Sequence, residues 1–304
     1  MKSIIVRRVT LAIALTAALG GVTACNSSDS SGSSGKDGKA VHKGTTRVSP
    51  IAALRSAERS TDGADSAKVE STTSMGTLMD MKADGVMGWA DGLTGTMTIT
   101  YTGGTLADTM RRTGSTSMQA RYLSDAYYAR MSDTFARQSG GKHWIRYAYD
   151  DLAQFGGSSG AYLKDQMQNT TPNQSVKLLL ASGDVHKVGS ESVRGRRTTH
   201  YSGTVDVADL ATRSSHLSAG QLADLKKQLT TAGVSTEKVD IWVDGDDLLV
   251  KKVEKGELTS GTMTSTAYYS DYGTKVSAEK PPASDTADFK DLLKAQGAAG
   301  GATS

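Results

Sequence analysis

The chain has 304 residues with 35 basic and 32 acidic side chains, one cysteine, eleven methionines and three phenylalanines. Lys2, Arg7 and Arg8 lie in an opening stretch without acids, so the remainder balances at 32 against 32. A balanced surface has no electrostatic footprint for nucleic acid, and no basic cluster suits an anionic lipid surface. One cysteine excludes an internal disulfide, so stability has to come from an apolar core, for which ~230 residues suffice.

Residues 1–24 have the parts of a secretory signal. The basic start is followed by an apolar run over 9–19, broken only by Thr10 and Thr16, and then by small residues up to Ala24. The run is too short to span a bilayer comfortably. Val22-Thr23-Ala24-Cys25 resembles the bacterial lipobox, with Val where Leu is usual. That resemblance implies cleavage before Cys25 and acylation of its thiol. Two acyl chains would hold the protein stably, where one would not. The expected location is the extracytoplasmic face of the cell membrane, with the membrane as partner through lipidated Cys25. Arg7-Arg8 fits the twin-arginine pattern poorly, which leaves Sec and Tat export both open. Residues 25–46 are rich in Ser, Gly and Lys and read as a flexible tether reaching roughly 25 Å.

Residues 47–282 form the expected domain. Ser49-Pro50 is a helix start, an N-cap serine before a first-turn proline. From Lys68 the period becomes two. Met75, Met79, Met81, Met87 and Trp89 share odd positions. After the turn signal Asp91-Gly92, Leu93, Met97, Ile99 and Tyr101 stay odd, while threonines fill positions 94 to 100 between them. That alternation predicts half-buried antiparallel strands. Further strands are expected over 117–123, 126–131, 142–147, 185–193 and 197–207. Thr171-Pro172 with Gln174 predicts a capped helix that ends at Gly183. Ser218 with Gln221 predicts a second, with Leu222, Leu225 and Leu229 on one stripe. Strands then return as a hairpin around Asp244-Gly245 and as a last strand over 262–272. Residues 283–304 are expected to hold a short helix and a flexible tail. The fold class is α+β: a large curved antiparallel sheet with helices on one face.

The second half of the chain carries a resemblance. It runs through Ser175-Val-Lys-Leu-Leu-Leu180, Val193-Arg-Gly195, Thr198-Thr-His-Tyr201 and Gly203-Thr-Val-Asp206. It continues through 239–251 (VDIWVDGDDLLVK), Tyr268-Tyr-Ser-Asp-Tyr-Gly273 and Pro281-Pro282. In this order the motifs resemble the actinobacterial LppX/LprAFG-like envelope lipoproteins. The resemblance implies a half-barrel with helices covering its concave face, an apolar cavity between sheet and helices, a ligand that is an acylated lipid or glycolipid, no cofactor and no catalytic residue. The same fold also resembles envelope-stress regulators that bind a sensor protein, so an interaction module is the alternative.

Eight of the eleven methionines fall between Met75 and Met131. Methionine adapts to varied apolar partners, so these residues either line a wall for acyl chains or fill an ordinary core. The expected cavity residues are Met79, Met81, Met87, Trp89, Met97 and Ile99 from the strands. The helices would add Leu179, Leu180, Leu222, Leu225 and Leu229. Gly156-Gly-Ser158-Ser-Gly160 matches the nucleophile-elbow pattern but lacks the buried strand that mechanism needs before it. The five histidines have no metal-ligand spacing. Asp244-Gly-Asp-Asp247 lacks the closing glutamate of a calcium loop and reads as a turn. Replacing Cys25 by Ser is expected to abolish lipidation and membrane retention. Metabolic labelling with a fatty acid checks this, and equal label in variant and parent would refute it.

Overall fold

The computed structural model describes residues 49–155, 164, 167–168, 171–206, 236–258 and 261–301. Cys25, the Gly156–Gly160 match and the stripe Leu222, Leu225 and Leu229 lie outside these.

Helix α1 (Pro50–Asp62) starts as its sequence requires. The Ser49 hydroxyl accepts a hydrogen bond from the Ala52 N–H at 3.2 Å. Its buried side, Leu54, Ala57 and Thr61, recurs every three to four residues. Strands β1 (Ser66–Met75), β2 (Met79–Gly88) and β3 (Thr94–Gly103) follow as hairpins. Gly92, at φ +91°, supplies the positive φ of the β2–β3 turn. Helix α2 (Gly104–Arg112) leads to β4 (Ser117–Tyr122) and β5 (Ala126–Arg130), and helix α3 (Asp133–Gln138) to β6 (Trp144–Ala148). Helix α4 (Tyr149–Phe155) ends this half. Helix α5 (Pro172–Ser182) leads to β7 (His186–Val193), β8 (Arg196–Asp206), β9 (Thr236–Asp244), β10 (Leu249–Leu258) and β11 (Gly261–Ser270). Strand β12 (Thr286–Asp288) and helix α6 (Phe289–Gly301) close the described chain.

All twelve strands form one curved sheet in the order β12-β6-β5-β4-β3-β2-β1-β11-β10-β9-β8-β7. Every pairing is antiparallel except β12 with β6. Each half of the chain is a meander, and β1 and β11 join the two through eight register pairs, from Lys68↔Ser270 to Met75↔Met263. Helices α1 and α5 cover β8, β9 and β11 through Leu54, Ala57, Val176 and Leu179 against Tyr201, Val239, Ile241 and Ala267. Leu152 of α4 and Phe289 and Leu292 of α6 pack over β2 to β6.

The structure departs from the sequence expectations in several places. Helix α2 was not foreseen because its N-cap, Gly103, makes no side-chain cap bond. Helices α3 and α4 span six and seven residues, too short for a period to show. The capping box at Thr171 does not form: Thr171 makes no side-chain cap bond, and the Gln174 Oε1 is buried without a partner. First-turn Pro172 and left-handed Gly183 (φ 72°) bound α5 instead. The sheet also continues past Pro282. Asp285 accepts from the His143 backbone N–H at 2.9 Å and contacts its ring at 2.7 Å, while Asp288 pairs with Arg146 at 2.9 Å. These contacts draw 286–288 onto the edge of β6, just ahead of the short C-terminal helix. The Asp244-Gly245 turn is a turn as expected: Asp244 Oδ1 accepts from the N–H groups of Asp246 and Leu248, both at 3.0 Å.

Helix α5 seats on the sheet at Gly203. A Cβ there would lie 2.0 Å from the Asp184 carbonyl oxygen and 2.6 Å from Leu179 Cδ1. Gly203→Ala is therefore expected to destabilise the fold by ~1–3 kcal/mol through overpacking, measured by denaturant unfolding. An unchanged midpoint would show the contact to be looser than this geometry.

Candidate functional site

Strand alternation sends one residue in two to the concave face. In β2 and β3 that set is Met81, Ala83, Gly85 and Met87 opposite Tyr101, Ile99, Met97 and Gly95. The glycines and methionines interlock. A Cβ on Gly85 would lie 2.8 Å from the Met97 sulfur, and one on Gly95 would lie 2.6 Å from the Met87 sulfur. Each thioether therefore lies across the glycine of the neighbouring strand. The result is a low apolar floor of polarizable side chains.

Tyrosines extend this floor toward β6. Tyr122 and Tyr127 have ring centroids 5.0 Å apart, Tyr127 and Tyr147 5.7 Å, and Tyr147 and Phe289 4.7 Å. Ala120, Ala129 and Ile145 fill the spaces between them. Burial pushes the Tyr122 phenol up to about 12, with Tyr101 adding to the effect. Burial also raises Tyr127, Tyr147 and Tyr149 above the ordinary phenol value. The Tyr149 hydroxyl is buried without a hydrogen-bond partner among the described residues. At its rim the floor meets a polar groove of about 580 Å³, bounded by Ser115, Ser117, Arg130, Thr134 and Arg137. Met118 and Met131 line the groove and also pack against the apolar cluster.

Across the seam, under α5, the concave face turns polar. Lys252 Nζ lies 2.9 Å from Glu254 Oε1 and donates to the Ser175 hydroxyl at 2.9 Å. That hydroxyl donates to Glu254 Oε1 at 2.6 Å. Burial by itself would depress the Lys252 ammonium, but Glu254 and Glu237 outweigh it and hold the group above its usual value. Glu237 is 2% exposed, and neither of its carboxyl oxygens has a partner among the described residues. Burial, with Glu254 adding to it and Lys252 offsetting only part, pushes its carboxyl up to about 8.

The expected cavity residues are thus divided. Met81, Met87, Met97 and Ile99 meet in the floor. Leu179 and Leu180 belong to the second cluster, with α1. Val69 packs against both clusters and links them. Met79 is fully buried at the start of β2 and belongs to neither. Trp89 is engaged elsewhere: its indole N–H donates to the Asp62 carbonyl at 3.1 Å, and its ring meets Tyr272 edge-on at 6.3 Å. It pins the end of α1 because its N–H needs an acceptor, which an apolar wall would not offer. The tyrosines were missed, although Tyr122, Tyr127 and Tyr147 sit in short alternating segments that mark them as one face. The buried acids were missed because nothing local in a strand sequence marks a charged residue for burial.

These features describe an open half-barrel with an apolar concave face. Among the described residues no helix is long and apolar enough to cross a membrane. No family model matches the chain. It is 60% identical over 260 residues to an uncharacterised 31.2 kDa protein from the rplA–rplJ intergenic region of Streptomyces griseus, covering 85% of each. It is 51% identical over 304 residues to an inferred lipoprotein of Streptomyces coelicolor, covering 96% of this chain and 98% of that one. The chain belongs to this family of streptomycete lipoproteins. Solved structures similar to it include LppX of Mycobacterium tuberculosis, at 17% identity and TM-score 0.46 over 76% of this chain and 98% of that one. Another is LprF of Mycobacterium bovis, at 14% and 0.45 over 76% and 96%.

The tyrosine strip makes a pH prediction. A phenol whose value rises on folding keeps its proton in the folded state after the unfolded chain has lost it. The folded state then binds more protons, so stability falls as pH rises. The unfolding midpoint is expected to fall between pH 10 and about 12, and Tyr122→Phe is expected to reduce that fall. A Phe variant with an unchanged pH profile would contradict the assignment.

Proposed function

We propose that this lipoprotein is a non-enzymatic carrier, held by acylated Cys25 on the outer face of the cell membrane, that shelters the acyl chains of a lipid or glycolipid on its concave face. The observation that carries this reading is the interlocked glycine–methionine floor and its tyrosine extension. A hydrocarbon chain gains about 0.8 kcal/mol for each CH₂ moved out of water. It needs area and deformable contacts, and no reactive group. Methionines laid flat over glycines supply both, because the thioether can shift with little strain.

Solvent extraction of protein purified from its membrane, followed by mass spectrometry, tests the proposal. Stoichiometric diacyl species are expected. A protein still lipid-free after incubation with membrane extract would overturn it.

Met97 probes the same floor at one residue. A methionine removed from a close-packed core typically costs ~2–5 kcal/mol. At a wall it has fewer partners to lose, and delipidated Met97→Ala is expected to lose about 1 kcal/mol or less. Reloaded with lipid, the variant should lose more than it does when empty, because the missing contacts are then with the ligand. Denaturant unfolding of both forms measures this. A large loss in the delipidated form with no further loss on reloading would make Met97 ordinary core.

A further inference from the structure

The polar groove at the rim of the floor is held open by its own walls. It lies where β4 begins and β5 ends, between the loop after α2 and helix α3. The Ser132 hydroxyl donates to the Thr113 carbonyl and accepts from the Phe135 N–H, which ties that loop to the first turn of α3. Gly114, at φ +95°, lets the loop close on α3: a Cβ there would lie 2.7 Å from the Thr134 hydroxyl oxygen. The Ser115 hydroxyl fixes the next turn by donating to the Ser117 carbonyl at 2.7 Å. About 580 Å³ stays open between these walls.

The groups that border this space are mostly donors. Thr98, Gln119 and Arg130 stand opposite one another on β3, β4 and β5. Strand alternation puts them on the face turned away from Met97 and Ile99. Arg130 is exposed and, among the described residues, has no hydrogen-bonded or ion-pair partner; it acts on Asp285 only through space. Arg137, also exposed, donates to the Thr134 hydroxyl at 3.1 Å. That bond uses a lone pair of Thr134 and leaves its O–H free to donate. The acid in the lining, Asp133, lies 3.5 Å from His143 Nε2 and, among the described residues, pairs with neither arginine. Two guanidinium groups with unused N–H therefore border one opening, beside a hydroxyl and an amide.

We propose that this groove binds a phosphate ester, with Arg130 and Arg137 as its two cations and Thr134 and Gln119 as neutral donors. A guanidinium fork matches two oxygens of a phosphate or carboxylate. A carboxylate has only the two and would satisfy one fork, whereas a phosphate has enough for both. The open volume is many times the roughly 30 Å³ share of one water molecule, so the alcohol of the ester has room beside the phosphate. Two sources supply that chemistry. Met118 and Met131 line the groove and pack against the floor, so a phospholipid with its chains on the floor would pass its head round the end of β4. A soluble phosphate ester would enter the groove directly. Only the phospholipid source rests on the carrier reading.

The test uses the full lipidated chain in a non-ionic detergent and three probes. Dioleoylphosphatidylglycerol and dioleoylglycerol have the same acyl chains and differ by the phosphate-bearing head; glycerol 1-phosphate has the phosphate without the chains. Native mass spectrometry reads the occupancy of each lipid, and calorimetric titration reads glycerol 1-phosphate. The parent is expected to favour phosphatidylglycerol over dioleoylglycerol, or to bind glycerol 1-phosphate more tightly than the groove variant does, by about tenfold, the effect of one well-made hydrogen bond to a charged group. The groove variant is Arg130→Gln with Arg137→Gln, and it should bring the lipids within about twofold and remove the glycerol phosphate signal. Arg111→Gln with Arg112→Gln takes the same charge from α2, outside the groove, and should behave as the parent does. Both double variants change exposed side chains and should unfold at about the parent's temperature. A lipid preference, with or without glycerol phosphate binding, assigns the site to a phospholipid head. Glycerol phosphate binding without a lipid preference assigns it to a soluble ester. An equal loss in the two double variants, or binding that survives the groove variant, overturns the site. Lipids bound without preference and no glycerol phosphate binding remove the groove and leave the carrier. Failure of both lipids to bind while glycerol phosphate binds removes the carrier and leaves the groove.

Discussion

The pairing of β1 with β11 is the contact on which the architecture depends. Each half of the chain is a meander whose strands pair with near neighbours in sequence. Lys68 and Ser270 are about 200 residues apart and still form one register pair. Without this ladder the two meanders would present two small faces, each with an edge strand exposed. With it, Val69 sits between the apolar clusters, and the concave face runs unbroken from the tyrosines of β5 and β6 to the acids of β9 and β10. Closing so long a loop costs entropy that grows only slowly with its length, so eight register pairs and the packing on both sides offset it.

The face so formed is not uniform. In its first half, glycine makes room and methionine occupies it, which keeps the surface apolar and low. In its second half, two helices lie directly on the sheet, and Gly203 allows one of them to approach within contact of the backbone. Beneath α5, within that second half, lies a charged network that no sealed core requires. Breaking a buried pair is costly, yet replacing the whole set with well-packed apolar residues is often neutral or favourable. A lysine paired with one glutamate while a second stands unpartnered is therefore hard to explain by stability.

Helices α4 and α6 complete the first half in a way that depends on the end of the chain. Lys290 pairs with Asp151 at 2.9 Å, tying α6 to α4. Phe289 then reaches Tyr147 as the last ring of the tyrosine strip. The parallel strand before it is only three residues long. Its position comes from the hydrogen bonds of Asp285 with His143, next to β6, and the ion pair of Asp288 with Arg146, since three ladder positions alone would hold it weakly.

Much of this protein was legible in the order of its residues. The alternation of threonine with Leu93, Met97, Ile99 and Tyr101 marked β3 and its buried face, because strand geometry repeats every two residues. Ser49-Pro50 marked the start of α1, because capping is satisfied within one turn. The lipobox resemblance at Cys25 is legible in the sequence alone, because processing enzymes read a short unfolded segment. The fold class followed from these local periods. Tertiary structure decided what local periods do not encode: which strands meet across the seam, and which glycine faces which methionine. It also decided that 286–288 joins the sheet and that Glu237 is buried. Each of these depends on residues far apart in the chain being brought to one register, and the energy of that register belongs to the assembled sheet rather than to any segment of it.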